Sequence, residues 1–175
     1  MIATITRYGL AAGLIVASIL FGTTVGLQNA IPDPAVGMAI GYAGMLLAFS
    51  MIVIAIRHHR DAVLGGVIGF GPALGLGLGI TAIATLFYVL AWEAALSVTG
   101  MDFGAEYAGM MVAEAEKSGD AAAIAQARAD AAQFARDYAR PLWRMGVTAT
   151  EILPVGIIVS LGAAAWLSRR RRPAA

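Results

Sequence analysis

The chain has 175 residues, 59% hydrophobic and only 13% charged, about half the charged share of an ordinary soluble domain. A formal net charge of +1 supplies no overall field to attract nucleic acid or an acidic ligand. With no cysteine, disulfides, thiolate metal sites and cysteine nucleophiles are excluded.

Charge is unevenly distributed. Residues 8–32, 34–56 and 62–92 contain no Asp, Glu, Lys or Arg, and residues 145–168 contain only Glu151. A helix crossing about 30 Å of hydrocarbon needs roughly 20 apolar residues. The pattern predicts an all-α polytopic membrane protein, a four-helix bundle with transmembrane helices at 8–28, 35–56, 70–92 and 143–168.

The first helix follows Arg7. Its uncharged tract is longer than the roughly 7–15-residue apolar core of a signal peptide, and no small-x-small cleavage site follows at a suitable distance, so it is read as a membrane helix. GLAAG puts Gly9 and Gly13 on one face. The second helix starts beside a short PDP connection, which makes the first two helices antiparallel neighbours. It carries Gly37 and Gly41 and ends in RHHRD, residues 57–61. His58 and His59 are adjacent and point about 100° apart on a helix, so a metal would need ligands besides these two and Asp61.

The third helix opens with GPALGLGLG, which places Gly71, Gly75 and Gly79 on a single stripe. Small residues four apart let helix backbones approach closely in lipid, as packing within one bundle or as a dimerisation face. GGVIGFG has neither the lysine nor the Ser/Thr of a phosphate loop. The helix closes with Trp92 and Glu93.

Residues 97–141 carry seven acids and four bases, a net charge of −3, and are too polar to span. Phe103, Tyr107, Met110 and Met111 share one helical face. Gly119 then reads as a helix end and Asp120 as the next N-cap. Ile124, Ala127, Ala131, Phe134 and Tyr138 form a second apolar stripe. Two opposed stripes predict an extracytoplasmic helical hairpin between helices three and four, leaning on the membrane bundle.

The fourth helix contains EILPVG, residues 151–156, and is followed by Arg169, Arg170, Arg171 and Arg172. Arg7, Arg57 with Arg60, and the tetra-arginine run fall on one side, which the positive-inside rule makes cytoplasmic, with both termini. Arg136, Arg140 and Arg144 at the start of helix four count against that orientation and are outweighed by the run at its end. Trp92 and Trp143 mark the outer interface and Trp166 the inner one. The four arginines also favour anionic headgroups, by about 1 kcal/mol each.

Depth follows from the helical rise. Arg169 back to Glu151 is about 27 Å of helix, and Pro72 forward to Glu93 about 31 Å. Both carboxylates are thus expected at nearly one level, with Arg144, two turns outward from Glu151 on its own face, as the counter-charge. Pro154 cannot donate to the carbonyl of Thr150, which leaves an acceptor beside Glu151. Glu93, Glu151, Arg144 and Pro154 make a polar joint open to three readings: an interfacial ion pair, a hydrogen-bonded lock between helices, or a proton or cation site.

The stretches GYAGMLLAFSMIVIAIRHHRD, VLGGVIGFGPALGLGL, FYVLAWE and EILPVGIIVSLGAAAW, in this order, resemble the bacterial membrane proteins grouped as domain of unknown function 4199. The likeness runs from Tyr8 to Leu167. His59 stands where that pattern usually has tyrosine, and Pro72 where it often has lysine. The resemblance implies a small bacterial inner-membrane protein with several spans and a helical segment between the last two, and implies no activity. With no GxSxG, HExxH or Ser-x-x-Lys pattern, no enzyme and no cofactor is expected. The expected function is a non-enzymatic scaffold or accessory subunit; the alternative is a small transporter or channel subunit using Glu93 and Glu151. The expected partners are the lipid bilayer and either further copies of the chain or another membrane protein, without nucleic acid.

Overall fold

A computed structural model describes residues 1–27 and 34–168. Among them there are six α-helices: α1 Ile2–Gly26, α2 Pro34–His58, α3 Phe70–Thr99, α4 Phe103–Glu116, α5 Ala121–Tyr138 and α6 Pro141–Leu167. A five-residue π-helical turn, His59–Val63, continues α2, with the Leu64 amide donating to the His59 carbonyl at 3.1 Å. The three tracts that lack charge and the fourth, which holds only Glu151, fall in the four helices long and apolar enough to cross a membrane. Arg169, Arg170, Arg171 and Arg172 lie outside the described residues.

The long helices run further than their uncharged tracts. α1 begins five residues before Arg7, and α3 continues six residues past Glu93. Neither charge ends its helix, because a charged side chain is compatible with a helical backbone and needs only water or a partner for its tip. α3 stops instead at Gly100, whose φ of 68° is the left-handed conformation that glycine adopts without strain, with its amide donating to the Leu96 carbonyl at 2.9 Å. Gly119, at φ 69°, separates α4 from α5, and the Asp120 carboxylate caps α5 by accepting from the Ala122 amide at 2.9 Å.

α3 packs against α1, α2 and α6, whereas α1 and α6 occupy opposite flanks of the α2–α3 pair. The directions can be read from side-chain register. Ile5 meets Gly79, Gly9 meets Ile83 and Gly13 meets Phe87, each step advancing four residues on both helices, so α1 and α3 are parallel. Thr4 reaches His59 and Ile19 reaches Gly44, so α1 and α2 are antiparallel. On α3 and α6, Glu93 meets Arg144, Tyr88 meets Glu151 and Thr81 meets Ser160, which is again antiparallel. Phe49, Ile52, Ile56, Leu76, Ile80 and Ile152 are fully buried between α2, α3 and α6.

The glycines divide differently from the predicted stripe. Gly9, Gly13 and Gly79 do lie in the α1–α3 contact; a Cβ at Gly9 would come within 2.7 Å of Ile83 Cδ1. Gly71 and Gly75 are exposed, with nothing within 4 Å of a Cβ at either, and Gly37 and Gly41 are equally open. Steps of four residues drift around a helix of 3.6 residues per turn, and α1 reaches only the part of the stripe beside its own first turns. The closest approaches of α3 to α6 fall instead at Gly77 and Gly156. A Cβ at Gly77 would sit 2.7 Å from Ser160 Oγ, and one at Gly156 would overlap Thr81 Cγ2 and lie 2.8 Å from Phe49 Cζ.

α4 and α5 pack on each other and join α3 and α6 through six rings. Trp92 meets Phe103 edge-on at 5.2 Å between centroids, Phe103 lies 5.4 Å from Tyr138, Tyr107 4.9 Å from Phe134, and Phe134 5.7 Å from Trp143. Trp92 Nε1 also donates to the Tyr138 hydroxyl at 2.7 Å. Burial pushes the Tyr138 phenol above its usual range, and the hydrogen bond from Trp92 opposes that rise. Offset and edge-on ring pairs add attraction beyond area burial, which gives the alanine-rich α5 an anchor its own stripe lacks.

Candidate functional site

The polar residues of α3 and α6 form one seam, ordered by the antiparallel register. At the α4–α5 end, Arg144 Nε donates to Glu93 Oε1 at 2.7 Å and Nη2 donates to Oε2, a two-pronged ion pair with both side chains about one-fifth exposed. Deeper, the Tyr88 hydroxyl donates to Glu151 Oε2 at 3.0 Å. Deeper still, the buried Thr81 and Ser160 hydroxyls are 3.2 Å apart, where Gly77 and Gly156 let the helices close.

Arg144 is therefore committed to Glu93 and not to Glu151, although Glu151 shares its face. The two carboxylates are not level either. Tyr88 to Glu93 is five residues of α3, and Glu151 back to Arg144 is seven of α6, which puts Glu151 about 7–11 Å deeper than Glu93. The separation exceeds the sequence expectation because depth was counted from Pro72 and Arg169, whereas the packed register fixes it directly. Pro154 lies inside an unbroken α6, and Thr150, whose carbonyl it leaves without an in-helix donor, is exposed next to Glu151.

Two cavities flank the seam, and each takes one of the carboxylates. Glu93 and Arg144 line a cavity of about 440 Å³ together with Gly100, Asp102, Phe103 and Tyr138. Glu151 lines a larger one, about 1080 Å³, between α1, α2, α3 and α4. Its wall is mostly aliphatic, from Val16, Ile19, Leu20, Met38 and Met45 among others. Tyr42, Tyr88, Trp92, Phe103 and Tyr107 add rings, and Glu106 of α4 adds a second carboxylate. Glu151 is exposed within the chain, and among the described residues Tyr88 is its one hydrogen-bond partner.

Sequence reading named Glu93, Glu151, Arg144 and Pro154, but not Tyr88, Thr81 or Ser160. A signal for the hydroxyls was present: Gly77 with Thr81, and Gly156 with Ser160, are small residues four apart. Nothing local distinguished Tyr88 from any other interfacial tyrosine. The histidines are drawn apart, as their spacing implied. His59 is buried with Nδ1 3.2 Å from Thr4 Oγ1, His58 lies against Tyr8, and Asp61 pairs with Arg60 at 2.7 Å. No group of three or more His, Asp or Glu side chains converges among the described residues.

A family model described as "Protein of unknown function (DUF4199)" matches residues 7–169. No curated protein and no solved structure matches the chain.

Proposed function

The chain belongs to this DUF4199 family, and from that premise we propose a non-enzymatic integral membrane protein that receives a small amphiphile in the cavity beside Glu151, as a transport or accessory subunit. The observation that carries the reading is that cavity: about 1080 Å³, largely apolar, with a carboxylate and a phenol at one wall. Ligand pockets of drug-sized molecules occupy about 300–1,000 Å³ and combine apolar lining with a few placed polar groups.

The proposed setting is the bacterial inner membrane, with α4 and α5 extracytoplasmic. Arg57 and Arg60 at the opposite end of the bundle, with the tetra-arginine run in the sequence, support that orientation through the positive-inside rule. The cavity then opens toward the outer leaflet, where an amphiphile enters with its polar end near the interface. Gly9, Gly13 and Gly79 are used within the chain, and the ring faces of α4 and α5 are turned onto each other and the bundle.

Ligand-induced thermal stabilisation of the full chain in nanodiscs tests the proposal, because a ligand that binds only the folded state raises its unfolding temperature. Size-matched neutral, cationic and anionic amphiphiles are compared. At least one is expected to stabilise saturably, and Gly41→Trp, which fills the cavity from a position with no neighbour within 4 Å, to abolish the effect. Absence of saturable stabilisation by all three, or an effect indifferent to Gly41→Trp, would sink the reading.

A further inference from the structure

We infer that the occupant of this cavity is a lipophilic monocation, an organic ammonium or phosphonium with a bulky apolar body, held by the Glu151 carboxylate against the aromatic wall. The inference rests on the ligand-binding reading above and narrows it to one charge class.

Charge complementarity comes first. Among the described residues the lining contains two carboxylates, Glu106 and Glu151, and no Lys, Arg or His. The base best placed by sequence to neutralise Glu151 is Arg144, and it is engaged by Glu93 through both prongs of its guanidinium. Among the described residues Glu151 is left with one phenol donor, while a carboxylate offers about four acceptor positions. A carboxylate exposed at membrane depth with most of its acceptor capacity free attracts a cation strongly, because apolar walls screen charge poorly.

The shape of the lining selects among cations. A small metal ion needs several converging oxygen ligands, as calcium does with six to eight. The described residues bring no three acids or histidines together. Five aromatic rings instead line the cavity, of which Tyr42 and Tyr88 stand outside the ring pairs that hold α4 and α5, and aromatic rings attract organic cations without stripping them of specific ligands. The volume accommodates a multi-ring body, and the aliphatic wall from α1 and α2 supplies its apolar contact. Tyr88 acts as a positioning residue: its hydroxyl fixes one carboxylate oxygen and turns the other side of the group to the cavity.

Equilibrium dialysis of the detergent-solubilised full chain against tetraphenylphosphonium and tetraphenylborate, which share size and shape but differ in charge sign, tests the inference. The phosphonium is expected to bind saturably and about tenfold or more tighter than the borate. Glu151→Gln is expected to weaken phosphonium binding about tenfold or more and leave borate binding unchanged or tighter, with an unchanged unfolding midpoint showing that the variant is folded. Should Glu151→Gln fail to fold, Glu106→Gln on the exposed α4 rim and Tyr88→Phe decide, each with a loss of about threefold expected. Borate binding as tight as phosphonium, or phosphonium binding unchanged in Glu151→Gln, overturns the cation inference and leaves the cavity reading standing. No saturable binding of either ion, of a neutral analogue of the same size or of any amphiphile in the nanodisc assay overturns both.

Discussion

Arg144 holds Glu93, not the glutamate on its own helix face, with Nε to Oε1 at 2.7 Å and Nη2 on the other oxygen. That single pairing separates the two acids of the seam. Glu93 becomes part of a fastening between α3 and α6, and Glu151 is left facing a cavity. The fastening should be measurable. Exposed ion pairs contribute about 0–1 kcal/mol and breaking buried ones costs about 3–5, so this one-fifth-exposed pair should lose about 2 kcal/mol when either partner alone is replaced. A double-mutant cycle on Glu93→Gln and Arg144→Gln, followed by thermal unfolding, checks it: the double variant should be more stable than the sum of the two losses implies.

The α4–α5 unit depends on Tyr138, which is buried, bonded to Trp92 and packed between Phe103, Phe134 and Trp143. Tyr138→Phe removes one hydrogen bond, at about 1 kcal/mol. Tyr138→Ala also removes the ring, at about 3 kcal/mol or more. Tryptic cleavage after Lys117, at the exposed turn between α4 and α5, should be faster in the alanine variant than in the phenylalanine variant. Equal rates in both would show that the ring cluster does not hold the unit in place.

Glycine positions should split by location. Gly156→Ala forces a methyl onto Thr81 and Phe49, and Gly77→Ala forces one onto Ser160; each should cost about 1–3 kcal/mol. Gly71→Ala and Gly75→Ala project into open space and, having gained helix propensity, should be neutral or stabilising by up to about 1 kcal/mol. Unfolding midpoints of the four variants in one detergent test the division.

Thr85 is the buried side chain with an unmatched polar atom among the described residues: its hydroxyl has no hydrogen-bond partner. Thr85→Val keeps the branched shape and removes the group that burial penalises. It should raise stability by about 1 kcal/mol, where the same change at Thr81, whose hydroxyl donates to the Gly77 carbonyl at 2.9 Å, should lower it. Opposite signs for the two in the same unfolding assay are the expected outcome.

Much of the fold was readable in advance because the bilayer constraint acts on composition. A tract of about 20 mostly apolar residues with at most one charge has few structural options beside a helix, and four such tracts announce four helices. Gly119 and Asp120 fixed the break between α4 and α5 for equally local reasons, a left-handed φ and a capping carboxylate. The ring stripe of Phe103, Tyr107, Phe134 and Tyr138 was visible as spacing alone. Its docking against Trp92 and Trp143, read in the sequence only as interface markers, came from the packing of α4 and α5 on the bundle.

The sequence by itself thus determined which segments are helices, where α4 gives way to α5, and that Glu93, Arg144 and Glu151 sit near one end of the bundle. Only the tertiary structure decided which acid takes the arginine, which glycines meet a neighbour, and that α1, α2, α3 and α4 leave a space beside Glu151. The first set depends on backbone hydrogen bonding and transfer from water, which act residue by residue. The second depends on the rotation and register of each helix against the next. There, each residue of shift turns a side chain by about 100°, and the two residues between Gly75 and Gly77 separate an open position from a buried one.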